Sequence, residues 1–162
     1  MKQHKLKEPL LAELNRMQKD LKKTLREHES FIKQFQLLVE NESMHMQVIE
    51  QFSCPVAIFK KGGVICSANR ILFEETDLKA DEIAEGKINF LSRVTDENYS
   101  VLEAAEGVFY GRTALLSQLS YPLEMFCRSW SFAVSNDYQS ALLFPLPDKE
   151  VIISLGAIML LK

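Results

Sequence analysis

The chain has 162 residues, of which 47% are hydrophobic and 25% charged, a composition typical of a soluble globular protein with one core domain and an appendage. No apolar run approaches the ~20 residues that a membrane-spanning helix needs, and the first ten residues lack the apolar segment of a signal peptide. Three cysteines without a Cys-x-x-Cys spacing favour free thiols over a disulfide framework. We therefore expect a cytoplasmic protein with no membrane span.

The net charge of −3 is unevenly distributed. Residues 1–33 contain nine Lys/Arg and five Asp/Glu, whereas the rest of the chain is acidic. A basic arm can bind nucleic acid or a membrane surface. These lysines are scattered around the predicted helix and have no aromatic neighbours, so we interpret them as a solvated helix face and expect no direct nucleic-acid binding.

Residues 1–47 are predicted to form an amphipathic helix that starts at Pro9, because proline fits a first helical turn. Apolar residues recur at alternating steps of four and three, which is the spacing of a coiled-coil seam. The seam comprises Leu10, Leu14, Met17, Leu21, Thr24, His28, Phe31, Phe35 and Leu38, and Leu11, Leu25, Ile32 and Val39 lie beside it. An isolated helix cannot bury such a stripe. The helix must pack on the following domain, on a second copy, or on both, and we expect a parallel homodimer with Thr24 and His28 as a polar layer.

The stretch from Val56 to Asn69, VAIFKKGGVICSAN, predicts a β-hairpin. Gly62 and Gly63 can adopt the positive φ that its turn requires, and Asn69 follows the second strand directly. An asparagine at a strand-to-helix junction can bond backbone groups with both ends of its amide. We assign Asn69 this structural role in preference to ligand contact.

The segments after the hairpin change from helical to β character. Short helical pieces are predicted between Arg70 and Ile83, and a longer helix runs from Thr95 to the region of Gly107–Gly111. Three strands are predicted in residues 113–134, 138–147 and 150–161, which are rich in aliphatic and aromatic residues. Strands at both ends with helices between them predict an α+β fold: one antiparallel sheet of about five strands with the helices on one face.

The segment 49–83, IEQFSCPVAIFKKGGVICSANRILFEETDLKADEI, resembles the start of a PAS sensory domain. A hydrophobic helix end meets Pro55 and a short hairpin, Asn69 corresponds to the family's characteristic asparagine, and an apolar helix and a T-x-x-x-x-D-E-I step follow. The order of elements extends the resemblance to residues 48–162. It implies a sensory and regulatory domain of signal transduction, with a pocket for a small ligand and an attached or partner effector. The last strands lack the family's usual Asp-Gly turn and look instead like the end of a GAF domain.

A ligand cavity is expected between the sheet and the helices from Asn69 to Phe109. Its candidate lining comprises Phe73, Phe90, Phe109, Phe126, Arg128 and Trp130. Alternation along a strand in residues 125–132 puts Phe126, Arg128 and Trp130 on one face. A buried arginine needs a partner, so Arg128 either faces solvent or a neighbouring chain, or awaits an anionic ligand such as a carboxylate. Alternatively, the aromatics fill a dry core, and the domain is a ligand-free dimerisation or protein-interaction module.

Catalytic and cofactor chemistry finds little support in the sequence. No histidine follows His45, so the domain cannot itself supply a histidine base to serine or cysteine. Residues 60–63, KKGG, lack the spacing of a phosphate-binding loop. The Met-His-Met run at residues 44–46 contains haem-ligating residue types but precedes the fold, and the cysteine motif of flavin-binding PAS domains is absent after Asn69. We expect no enzymatic activity, no metal and no cofactor.

Overall fold

The computed structural model describes the backbone of residues 4–39, 45–147 and 150–162, and the side chains of residues 9–33, 47–147 and 150–162. The chain divides into two compact units, Met1–Leu37 and Leu38–Lys162. The first consists of a long helix, and the second contains the sheet and the shorter helices. Two residues of the predicted seam, Phe35 and Leu38, lie outside the described side chains, as does the Met-His-Met run.

The long N-terminal helix, α1 (His4–Val39), is confirmed but begins five residues before the predicted start at Pro9. The first four N–H groups of any helix lack a partner within it. Pro9 is the sixth residue of α1, so its missing N–H removes one hydrogen bond close to the start of the helix. The rest of the helix continues without another proline.

One face of α1 exposes large apolar side chains. Their exposed fractions lie between 44% and 67%, and the residues are Leu10, Leu11, Leu14, Met17, Leu21 and Leu25. Two ion pairs between exposed side chains, Arg16–Asp20 at 4.0 Å and Lys23–Glu27 at 3.8 Å, connect residues four apart. Each adds about 0.2–0.5 kcal/mol to the helix. We call the six exposed apolar residues the α1 stripe.

The second unit is an α+β fold built on one five-stranded antiparallel sheet. The strands are β1 (Val56–Lys60), β2 (Ile65–Ala68), β3 (Ala114–Leu116), β4 (Ser140–Pro147) and β5 (Ile153–Leu161), in the spatial order β2-β1-β5-β4-β3. The helices are α2 (His45–Ile49), α3 (Arg70–Glu75), α4 (Ala80–Ala84) and α5 (Tyr99–Val108), with 3-10 turns at Phe90–Arg93, Asp96–Asn98 and Pro122–Phe126. The structure confirms the predicted α+β class, with one antiparallel sheet of five strands and a long N-terminal helix.

The main core lies between one face of the sheet and the helices. Phe59 of β1 is fully buried, and its ring meets Phe90 at 5.0 Å and Phe109 at 5.9 Å between centroids, both edge to face. Phe90 stacks in turn on Phe126 at 5.4 Å. Each such pair adds about 0.5–1.5 kcal/mol beyond the burial of its surface. The surrounding side chains are aliphatic and include Ala57, Leu72, Ile83, Val101, Ala105, Val108, Leu143, Ile158 and Leu160.

The other face of the sheet is apolar as well. It carries Val56, Ile58, Leu142, Phe144 and Met159, none of which is more than 3% exposed. Strands that are buried on both faces form continuous hydrophobic runs in the sequence rather than alternating ones. This explains why β4 and β5 show almost no polar residues between their apolar ones.

The strand predicted for residues 113–134 is wrong beyond Leu116. The chain there leaves β3 and follows an irregular path through the 3-10 turn at Pro122–Phe126. Proline cannot donate to a strand ladder, and Tyr121 before it has a φ of 45°, in the left-handed region. Side-chain hydrogen bonds take the place of a ladder: Asn98 accepts from Ser120 N at 3.0 Å and donates to Ser120 O at 2.7 Å. Alternation therefore cannot assign the faces of residues 126–130.

Gly156 leaves space for the ring of Phe59, which lies opposite it in the β1–β5 pair. A Cβ at Gly156 would lie 2.7 Å from Phe59 Cζ and 2.8 Å from Val108 Cγ1. We predict that Gly156→Ala lowers the free energy of unfolding by about 1–3 kcal/mol, because both neighbours are fully buried and have no space to move into. Urea denaturation measures the change.

Gly107→Ala is the matched control for this prediction. A Cβ at Gly107 meets only the Arg112 side chain, at 3.5 Å, and alanine favours a helix over glycine by up to ~1 kcal/mol. If both variants were as stable as the unsubstituted protein, the close approach at Gly156 would be contradicted.

Candidate functional site

Asn69 lies at the junction between β2 and α3 and is completely buried. Its Oδ1 accepts from Val56 N at 3.0 Å and from Leu72 N at 3.1 Å. Its Nδ2 donates to Ile49 O at 3.1 Å and to Cys54 O at 2.8 Å. An amide side chain has two donors and an acceptor with two lone pairs. All of this capacity is used within the chain, so Asn69 has none left for a ligand.

The structure brings three of the five predicted aromatic lining residues together. Phe90 and Phe109 both contact Phe59, which the sequence analysis did not single out, and Phe126 stacks on Phe90. Phe90 and Phe126 are at most 1% exposed and stack directly on each other, so no ligand fits between their rings. The interior at this point is filled by the chain itself.

The other two aromatics are placed differently. Phe73 is partly buried against the same core but makes no ring contact with the other four. Trp130 is 69% exposed and lies outside the core. Its ring contacts the guanidinium of Arg93, with 4.8 Å between Arg93 Cζ and the ring centroid. The expectation that Trp130 shares a sheet face with Phe126 is wrong, because the segment is not a strand.

Arg128 does not lie on the inner face of the sheet. Its Nε is 2.8 Å from Glu82 Oε1 of α4, and its side chain is 44% exposed. Its backbone N donates to Asp77 Oδ1 at 2.6 Å, and its carbonyl accepts from Arg93 Nη2. The positive charge of Arg128 is therefore paired with Glu82. It was predicted from the sequence to lie between Phe126 and Trp130 on one face of a strand.

A polar cleft of about 290 Å³ adjoins this ion pair. Glu82, Lys87, Asn89, Ser92, Arg93 and Arg128 supply its polar lining. Glu82 Oε2 and Arg93 Nη1 are enclosed and have no hydrogen-bond partner among the described residues. Because neither atom is accessible from the cleft, a ligand there could reach only the outer parts of these side chains.

A second cleft lies between the turn of the β1–β2 hairpin and α5, and we call it the hairpin cleft. It has a volume of about 360 Å³. Its lining comprises Phe59, Lys61, Gly62, Gly63, Leu91, Leu102, Ala105, Glu106, Phe109 and Tyr110. The sequence did not reveal this cleft, because its walls come from three stretches of chain that only the fold brings together.

The thiols have little nucleophilic character. Burial raises the pKa of Cys54 and Cys66 above the ordinary value, and it raises the pKa of Cys127 to about 11. A thiol with a raised pKa stays protonated near neutral pH and reacts slowly. Within the described parts of the chain, no group of three or more His, Cys, Asp or Glu side chains is placed to hold a metal ion. None of the helices described there is both long enough and apolar enough to cross a bilayer.

No protein-family model matches the chain, and no curated protein is significantly similar in sequence. Among solved structures, the chain is similar to a sensory box sensor histidine kinase from Vibrio cholerae. The sequence identity is 10% and the TM-score 0.48, and the alignment covers 76% of this chain and 93% of that chain.

The hydrogen bonds of Asn69 lead to a prediction about stability. We expect Asn69→Ala to lower the free energy of unfolding by about 2–4 kcal/mol, because Val56 N and Ile49 O lose buried bonds at 3.0 Å and 3.1 Å. Urea denaturation measures the loss.

The control is Asn89→Ala. Asn89 also caps a helical turn, accepting from Leu91 N at 3.0 Å and donating to Gly62 O at 2.9 Å, but its bonds are less buried. Its replacement should cost about 1 kcal/mol. An Asn69→Ala variant that loses no more stability than Asn89→Ala would refute the role of the junction.

Proposed function

We propose that this chain is a cytoplasmic sensory and regulatory module of signal transduction, which forms a homodimer through α1 and controls an attached or partner effector. The PAS-like motif in residues 49–83 and the α+β architecture support the sensory class. A regulatory role is favoured over a catalytic one, because no histidine follows His45 and the pKa values of all three thiols are raised.

The observation that carries the proposal is the α1 stripe. Leu10, Leu14, Met17 and Leu21 are each 55–67% exposed and follow the four-three spacing of a seam. Burying a leucine or methionine side chain contributes about 1.5–3 kcal/mol. A second copy of the same helix offers the same stripe in register, so each seam residue meets its own counterpart.

Charges at the edge of the seam favour a parallel pair. Every seventh residue along one edge is acidic: Glu13, Asp20 and Glu27. In an antiparallel pair, these positions of the two chains face each other and repel. In a parallel pair they face residues 18, 25 and 32 of the partner helix, which carry no charge.

Thr24 is compatible with such a seam despite its hydroxyl group. Its Oγ1 donates to Asp20 O at 3.0 Å, within the same helix. The hydroxyl is therefore satisfied before any partner arrives, and enclosing it costs less than enclosing an unbonded polar group.

The second candidate function is a ligand-free dimerisation and protein-interaction module. The specific observation in its favour is the filled interior, where Phe90 stacks on Phe126 and contacts Phe59. Both candidates share the α1 dimer, so ligand binding discriminates between them.

The dimer is tested by placing charges in the seam. We predict that the double variant Leu14→Asp, Leu21→Asp weakens self-association by at least about 1000-fold. The dimer loses four leucines from its seam, and four carboxylates would have to be enclosed there instead. Sedimentation equilibrium over a range of concentrations measures the dissociation constant.

The control variant is Lys19→Gln, Arg26→Gln. It lowers the net charge by the same two units at two positions outside the seam, and self-association should be nearly unchanged. An unsubstituted chain that stays monomeric, or a seam variant that stays fully dimeric, would disprove dimerisation through α1.

A further inference from the structure

We propose that the hairpin cleft binds a free α-amino acid with an apolar side chain, aliphatic or aromatic. This inference rests on the proposed sensory function, for which it names the class of signal. It concerns a different place from the filled interior between Phe90 and Phe126.

The floor of the hairpin cleft is apolar. Phe59 is fully buried beneath it, and Leu91, Leu102, Ala105 and Phe109 supply the remaining apolar surface. Small-molecule sites are concave and mostly apolar, with volumes of about 300–1,000 Å³. The hairpin cleft, at about 360 Å³, is near the lower limit of that range. It suits one amino-acid-sized molecule and is too small for a helix or a strand of a partner.

The two walls of the cleft carry opposite charges. Lys61 lies on the hairpin turn and Glu106 on α5. Both side chains are exposed, and neither forms an ion pair with another described residue. A zwitterion presents a carboxylate to Lys61 and an ammonium to Glu106, and these charge-assisted bonds orient its side chain toward the floor.

The hairpin wall is held in a fixed position. Gly62 and Gly63 have φ values of 90° and 91°, which favour glycine. Asn89 Nδ2 donates to Gly62 O at 2.9 Å, and a Cβ at Gly63 would lie 2.6 Å from Leu91 Cγ. The turn therefore packs against the 3-10 turn at Phe90–Arg93, with no space for a side chain at Gly63. A preformed wall reduces the entropy lost on binding.

The first test measures binding of L-phenylalanine and L-leucine to the full chain by isothermal titration calorimetry. Three comparison compounds each lack one feature: phenethylamine has no carboxylate, 3-phenylpropanoate has no ammonium, and glycine has no apolar side chain. We expect both amino acids to bind at least about tenfold more tightly than each comparison compound. The proposal is overturned if neither amino acid binds at millimolar concentration, or if removing either charge leaves the affinity unchanged.

The second test places the ligand in the hairpin cleft. Lys61→Gln and Glu106→Gln should each weaken L-phenylalanine binding by about tenfold. Lys60→Gln and Glu103→Gln are the matched controls, because they remove the same charges from the same hairpin and the same helix at positions outside the lining. Equal losses from a variant and its control would overturn the site.

Sedimentation equilibrium on the same samples separates this proposal from that of the dimer. A stable dimer that binds no amino acid overturns the ligand site alone. A monomer that binds L-phenylalanine in the hairpin cleft overturns the dimer alone.

Discussion

The four hydrogen bonds of the Asn69 side chain are the constraint on which the second unit depends. They connect the end of α2, the residues just before β1, the first residue of β1 and the start of α3. β1 pairs with both β2 and β5. When a strand slips by one residue, the side chains of its two faces exchange places. In most strands this slip is prevented because one face is hydrophobic and buried and the other is polar. Because β1 is apolar on both faces, this pattern cannot determine its register. The hydrogen bond from Val56 N to Asn69 Oδ1 fixes the register instead.

Gly156 supplies a second determinant of the same register. Only a residue without a side chain can face Phe59 and Val108 at this distance. Phe59 in turn contacts Phe90 and Phe109 in the interior and forms part of the floor of the hairpin cleft. The same ring therefore meets the cleft on one side and the aromatic core on the other. Packed cores deform little, so a displacement of this ring passes directly to its neighbours.

The parts of the fold that local sequence determines could be predicted. Gly62 and Gly63 marked the hairpin turn, and the apolar stretches containing β4 and β5 marked those strands. The segment after Leu116 could not be predicted, because residues distant in sequence determine its shape: Asn98 holds Ser120, and Asp77 holds the backbone of Arg128. The candidate ligand residues Arg128 and Trp130 depended on the assumption that this segment was a strand, and the structure places both outside the core.

The contrast between Arg128 and Lys61 shows why a charged residue in a sequence is a weak indicator of a ligand. The partner of Arg128 is Glu82, 46 positions earlier in the chain, and no sequence pattern connects the two. Lys61 and Glu106 are solvated and lie on opposite walls of the hairpin cleft without pairing. Leaving them unpaired costs the folded chain little stability, because an exposed ion pair contributes only about 0–1 kcal/mol. In the proposed complex, the apolar floor provides most of the driving force for binding, whereas each charge adds about tenfold in affinity and the two together determine which molecule binds and in which orientation.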